Sequence, residues 1–257
     1  MYLDKKNTHS YESTYDSEEL RGVDDTATPR PWDLVSLISN YGGPCKSMLD
    51  IGCGTAFKLL PLSEKFKKIV GVEPSESMRK AAEKKISLKN IRNITIVDSC
   101  LEKFNPGKDR FDVVTSMLAK FDPSIISRYL KPSGVCIVEH VGCEDKKKFK
   151  EYFGKDEDGW RGQLLHYHKD DYVGILQNWF EQFFSEVTVT DGTWNTYYTE
   201  SGINSLLRNT PTIRGYSEQL DCKNTMSAIN DLKTPRGIKI TQNRVLIHAK
   251  NPKQDKA

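Results

Sequence analysis

The residues that could do chemistry begin at Asp50. Met48-Leu49-Asp50-Ile51-Gly52-Cys53-Gly54-Thr55-Ala56 reads as a strand running into a glycine turn and then a helix over Phe57 to Phe66. Glycine at such a turn lets backbone approach a ligand without a Cβ clash, at the strand end where open α/β sheets bind ligands. Glu73, in Val70-Gly71-Val72-Glu73-Pro74, follows Asp50 by 23 residues. That spacing puts a carboxylate over the first turn, where it can accept two hydrogen bonds from the vicinal diol of a ribose. Asp98-Ser99 closes a third apolar run, a position from which an acid can accept from an exocyclic adenine amine. A dinucleotide loop would place a third glycine where Phe57 stands, and no G-K-[ST] phosphate loop is present.

These groups need a frame that brings strand ends together. Short apolar runs at Ser47 to Ile51, Lys68 to Glu73, Ile94 to Asp98, Phe111 to Met117 and Val135 to Glu139 are of the type buried on both faces of a parallel sheet. Helical patterns fill the gaps, including Ser75 to Lys85 and Pro123 to Leu130, and an amphipathic helix carrying Trp32, Val35 and Ile38 precedes them. The alternation predicts a doubly wound, mostly parallel α/β sheet. Two later strands, Glu186 to Thr190 and Arg244 to Ala249, complete seven.

Residues 1–28 are polar and read as an N-terminal arm or lid, 29–251 as a single domain, and 252–257 as a polar tail. Within the domain, insertions at about 142–185 and 192–243 are far longer than ordinary connections, and such stretches carry function. The chain has 257 residues, ample for a full core, with 38 Lys+Arg against 35 Asp+Glu. So balanced a charge does not announce a nucleic-acid binder. No apolar run reaches the ~18 residues of a membrane span and no signal peptide is evident, so the expectation is a cytoplasmic protein without a membrane partner. Six cysteines form no C-x-x-C pair and read as free thiols.

LDIGCGTA, then VGVEP, VDS and FDVVTSM in order resemble the class I S-adenosylmethionine-dependent methyltransferase family, with its Rossmann-like fold. Lys131-Pro132-Ser133-Gly134 resembles the family's K-P-G-G turn with one Ser departing. The resemblance covers Pro31 to His140 and the two terminal strands. It implies S-adenosylmethionine as cofactor, held at its methionine end by Asp50, Gly52, Cys53 and Gly54, at its ribose by Glu73 beside Pro74, and at its adenine by Asp98 beside Ser99. Ser116 and Met117 match the positions that line the cofactor and face the substrate. A sulfonium methyl is already activated, so the protein need only align a nucleophile in line with it and remove a proton where necessary.

The acceptor is less defined. His140, after Glu139 at the end of the fifth strand, is the candidate general base. Tyr11 and Tyr15 on the arm, His166 and His168, and Trp194 and Tyr197 are candidates for the substrate pocket. His166-x-His168 with Asp170 and Asp171 fixes no third ligand, so no metal is expected. Lys146 to Lys148 with Lys150 read as a solvated helix face rather than a nucleic-acid patch, and Trp179, Phe180, Phe183 and Phe184 as a buried one. The leading reading is transfer to a small molecule. The absence of [DN]-P-P-[YF] after the fourth strand, where Thr115-Ser116-Met117-Leu118 stands, counts against enzymes that methylate base amines, and no DNA partner is expected. The alternatives are an RNA methyltransferase, or a binding module that keeps the fold without turnover. Leu206 to Pro211 is loosely similar to the ribosomal guanine-N1 enzymes, whose four-cysteine zinc module is missing here. Oligomeric state is not legible.

Overall fold

The computed structural model describes residues 22–253, and its contacts divide the chain into two compact units. Of the described residues, one comprises Trp32–Val141, Val173–Asp191 and 245–253; the other comprises 22–31, Gly142–Tyr172 and Gly192–Arg244. No described helix is long and apolar enough to cross a membrane.

The first unit is built on β2 (Gly43–Ile51), β3 (Phe66–Val72), β4 (Ile94–Val97), β5 (Phe111–Met117) and β6 (Leu130–Val141). They pair in parallel in the order β4-β3-β2-β5-β6, and parts of β11 (Gly237–Pro252) and β9 (Phe184–Tyr198) extend the sheet beyond β6. This is the doubly wound, mostly parallel sheet that the apolar runs predict. Met48, Leu49, Ile69, Val70, Val113 and Val114 are all buried, as residues pointing to either face of a covered parallel sheet must be. Helices α1 (Leu34–Ser39), α2 (Leu59–Leu62), α3 (Glu76–Leu88) and α4 (Pro123–Tyr129) supply the cover.

Asp33, Ser75 and Asp122 cap α1, α3 and α4 by accepting backbone N–H bonds. The helix expected over 57–66 shrinks to α2, because Pro61 removes a donor and the chain turns at Lys65 directly into β3. The K-P-x-G stretch, expected as a turn before the strand, lies within β6, and Lys131 and Lys46 both donate to the buried Asp112 at the start of β5, at 2.7 and 3.1 Å. Burial raises the Asp112 pKa, but Lys131, the Ser47 amide and Lys46 outweigh it and bring it to about 2.

The second unit carries α5 (Lys147–Glu151), the hairpin β7 (Lys155–Asp156) and β8 (Gly159–Trp160), α7 (Glu200–Asn209) and α8 (Cys222–Leu232). The short strands β1 (Val23–Asp24) and β10 (Lys233–Thr234) pair with the adjoining parts of β9 and β11. Phe149, Phe153, Ile203, Leu207, Ala228 and Ile240 form its core. α6 (Lys169–Glu181) begins in this unit and belongs mostly to the first. β9 and β11 run well beyond the stretches expected for them. The strand expected to end at Thr190 continues through Asp191-Gly192, with Gly192, Trp194, Thr196 and Tyr198 buried on alternate positions. The described part of the expected arm is tied down: Asp24 accepts from Trp194 Nε1 at 2.9 Å and Asp25 from Tyr197 Oη at 3.2 Å.

Candidate active site

The carboxyl ends of β2, β3 and β5 meet in register. Asp50 pairs with Gly71 on one side and Thr115 on the other, and Ile51 with Val72 and Ser116. The chain then leaves β2 through a turn that β3 holds: the Gly52 and Cys53 amides both donate to the Val72 carbonyl, at 2.8 and 3.1 Å. Gly71 permits this, since a Cβ there would lie 2.6 Å from Cys53 Sγ. Burial pushes the Cys53 thiol far up, so it packs as a small hydrophobe.

Gly52 and Gly54 both have positive φ, +70° and +55°, but they serve different ends. A Cβ on Gly52 would meet the Ala119 Cβ at 2.3 Å, whereas a Cβ on Gly54 would meet no atom within 4 Å. The space over Gly54 is open. Gly54→Ala is therefore expected to cost only the ~1–2 kcal/mol of a left-handed alanine in stability while blocking cofactor binding. Gly52→Ala should lower the melting temperature more than Gly54→Ala. Calorimetric titration and thermal melts of the two variants check this contrast.

Glu73 locks the turn. One carboxylate oxygen accepts the Gly54 amide and the other the Ser75 amide, each at 2.9 Å. Each oxygen keeps a further lone pair, which is what a ribose diol requires. Asp98 is exposed and accepts from Arg79 at 2.8 Å, while the same guanidinium donates to the Glu73 carbonyl at 3.0 Å. Arg79 thus spans the two acids, and Pro74 and Ser99 follow them in the chain. Ser116 is buried at the level of Ile51, and Met117 packs against the core below.

Asp50 is set into the strand ends and accepts a bond from Thr115 Oγ1 at 2.5 Å. Burial pushes its pKa up to about 6, against the opposing Thr115 bond and Lys58 and with Glu73 adding to the rise. A carboxyl raised in the folded state holds more protons there than in the unfolded chain. Its contribution to stability is therefore lost as pH rises from about 4 through 6. Asp50→Asn should remove that penalty, at most about 3 kcal/mol at pH 7. The gain in melting temperature over the natural protein should be largest at pH 7 and close toward pH 4.

The acceptor-side candidates fall in several places. His140 stands edge-on to Phe121, ring centroids 5.0 Å apart, and Phe121 in turn contacts Trp179 and Phe180. Beside it, Glu139 accepts from Trp32 Nε1 at 2.7 Å. Neither Trp32, Arg79 nor Thr115 is marked by a sequence motif. His166, His168, Trp194 and Tyr197 belong to the second unit. The two histidines are exposed, with His166 against Tyr167. Trp194 is buried with the Arg30 guanidinium 4.9 Å from its ring, and Tyr197 lies under Arg236. Tyr11 and Tyr15 lie outside the described residues. Among the described residues, no three His, Cys, Asp or Glu side chains gather as a metal site. The open space at Gly54, the diol-ready Glu73 and the exposed Asp98 fit the methionine, ribose and adenine parts of S-adenosylmethionine.

Known methyltransferases are similar to parts of the chain. The probable S-adenosylmethionine-dependent methyltransferase CRG1 of Saccharomyces cerevisiae is 28% identical over 182 residues, 62% of each chain. The dTDP-4-amino-2,3,4,6-tetradeoxy-D-glucose N,N-dimethyltransferase of Saccharopolyspora spinosa is 26% identical over 137 residues, 47% of this chain and 53% of that protein. The matched stretches thus span between half and two thirds of these relatives. The YcgJ protein of Bacillus subtilis shares the fold, with a TM-score of 0.58 at 16% identity, covering 86% of this chain and 98% of its own. A methyltransferase-domain model matches residues 48–134, from within β2 into the start of β6. That match falls on the strands whose carboxyl ends carry the glycine turn and Glu73, so this part of the chain is similar to a methyltransferase domain.

Proposed function

We propose that the protein is an active S-adenosylmethionine-dependent methyltransferase and that its acceptor is a small molecule. The cofactor supplies an electrophilic methyl on sulfur. An acceptor lone pair forms the new bond to that carbon as the carbon–sulfur bond breaks, its electron pair passing to sulfur and an acceptor proton leaving to water. The protein's part is to hold the cofactor at Gly54 and Glu73 and to align the nucleophile.

The observation that carries the small-molecule reading is the charge at the strand ends. Asp50, Glu73, Asp98 and Glu139 stand at the carboxyl ends of β2, β3, β4 and β6. A polyphosphate backbone would meet repulsion there, whereas a compact acceptor would not. The Saccharopolyspora relative, by its name, acts on an amino sugar. The tRNA/tmRNA (uracil-C(5))-methyltransferase of Idiomarina loihiensis matches over only 64 residues, 25% of this chain.

The test is transfer of labelled methyl from the cofactor to a cell extract separated into metabolites and RNA. Label is expected among the metabolites. Label confined to RNA would overturn the acceptor reading, and absence of cofactor binding by calorimetry would overturn the enzyme.

A further inference from the structure

Glu139 has the burial of a core residue without the partners that usually permit it. The residue is 8% exposed, as Asp112 is, and Asp145 is 2% exposed. Asp112 is neutralised by Lys46 and Lys131, and Asp145 by Lys146 and Arg244. Glu139 has no ion-pair partner among the described residues, and its side chain accepts only the neutral indole N–H of Trp32. A buried carboxylate with no cation is costly, and the cost falls when a ligand brings the cation.

Its position is at the reacting end of the sheet. Glu139 pairs with Met117 across β5 and β6, one step beyond the level at which Ser116 pairs with Ile51. That sets it level with Gly52, two strands away, roughly 10 Å at ~4.8 Å per strand. The Trp32 ring lies at the carboxylate itself, and the next residue on the strand, His140, alternates to the other face of the sheet and contacts Phe121. A carboxylate with an aromatic ring beside it and no cation of its own is the chemistry that receives an organic ammonium.

We infer that Glu139 is the specificity-determining residue for the methyl acceptor and that this acceptor is an amine. The inference rests on the methyltransferase reading and deepens it. The ammonium form pairs with Glu139 and gives it a proton, which frees the nitrogen lone pair. That lone pair forms the bond to the methyl carbon as the carbon–sulfur bond breaks with its electrons on sulfur, and the proton passes from Glu139 to water.

The test uses binding as well as turnover. With S-adenosylhomocysteine bound to the full chain, benzylamine, 2-phenylethylamine and tyramine are titrated calorimetrically beside the alcohols and carboxylates of matching shape. At least one amine is expected to bind ten-fold or more tighter than its alcohol, with its carboxylate weaker still. Glu139→Gln should abolish that preference and leave S-adenosylhomocysteine affinity within two-fold, whereas Trp32→Phe, which keeps a ring, should retain the preference. Equal affinity for amines and alcohols in the natural protein, tighter binding of the carboxylates, or an amine preference that survives Glu139→Gln would overturn the inference. The comparison among ligands in the natural protein stands even if a variant fails to fold. Failure of S-adenosylhomocysteine to bind would instead remove the methyltransferase reading, so the two failures are distinguishable.

Discussion

Glu73→Ala is expected to weaken binding of S-adenosylmethionine and S-adenosylhomocysteine by about 100-fold while the protein still melts cooperatively. Two losses combine. The ribose diol loses a charged acceptor, and hydrogen bonds to charged groups contribute about 1.5–3 kcal/mol. The Gly54 and Ser75 amides lose the carboxylate that ties the glycine turn to the start of α3, so the turn must be ordered anew when ligand binds. About 2.7 kcal/mol corresponds to the 100-fold change. Glu73→Gln is not a benign control, because its amide would direct N–H groups at one of two backbone N–H donors. It should bind ligand only slightly better than alanine. Calorimetric titration at constant pH measures the affinities, and thermal melts separate them from unfolding. Unchanged affinity in Glu73→Ala would remove Glu73 from the cofactor site.

Why Glu73 was legible while Glu139 was not is a matter of range. Gly54, Glu73 and Asp98 act at strand ends, and a strand end in a parallel sheet is announced by its own apolar run, so residue type and local spacing carry the site. Thr115 meets Asp50 because β5 inserts beside β2, and Trp32 meets Glu139 across 107 residues of sequence. No local pattern encodes such pairings. The limits of the elements failed where a local rule met a tertiary exception. Asp191-Gly192 has turn chemistry, yet Asn243 Nδ2 donates to the Gly192 carbonyl at 3.1 Å and the strand runs on. The same holds for the lysine run. Charge spacing reads Lys146 to Lys150 as a solvated helix face, but Lys146 and Lys150 are 5% and 0% exposed. Asp145, next to Lys146 in the chain, permits it together with groups that only the fold brings there, the Gln242 side chain and the Gln163 carbonyl, which accept from Lys146 and Lys150 at 2.9 and 2.8 Å.

Asp145→Asn is therefore expected to be the most destabilising polar substitution in the second unit. Asp145 Oδ2 accepts from Lys146 at 2.7 Å with Lys150 at 3.9 Å, while Oδ1 accepts the Asn243 amide at 3.0 Å and the Arg244 guanidinium. Burial acts to raise its pKa, but Arg244, Lys146 and Lys150 outweigh burial and hold the carboxyl far below its usual range. Removing its charge leaves the buried Lys146 and Lys150 without the carboxylate they face, a loss of about 3–5 kcal/mol. The lysines set the pH dependence. Burial lowers Lys146 to about 8 and Lys150 to about 7, against the pull of Asp145. A lysine depressed in the folded state is more protonated when unfolded, so its contribution to stability is present at high pH and lost as pH falls through the folded value. Without Asp145 both values should fall further. The penalty in Asp145→Asn should then be largest near pH 6 and shrink toward pH 9, as read by thermal melts and hydrogen exchange of residues 142–163. Lys150→Met in the same background should restore part of the loss, because an unbranched apolar chain of similar length takes the buried volume without a charge. A penalty independent of pH, or no rescue by Lys150→Met, would show that Asp145 acts through its hydrogen bonds to the Asn243 amide and Arg244 alone and not through charge.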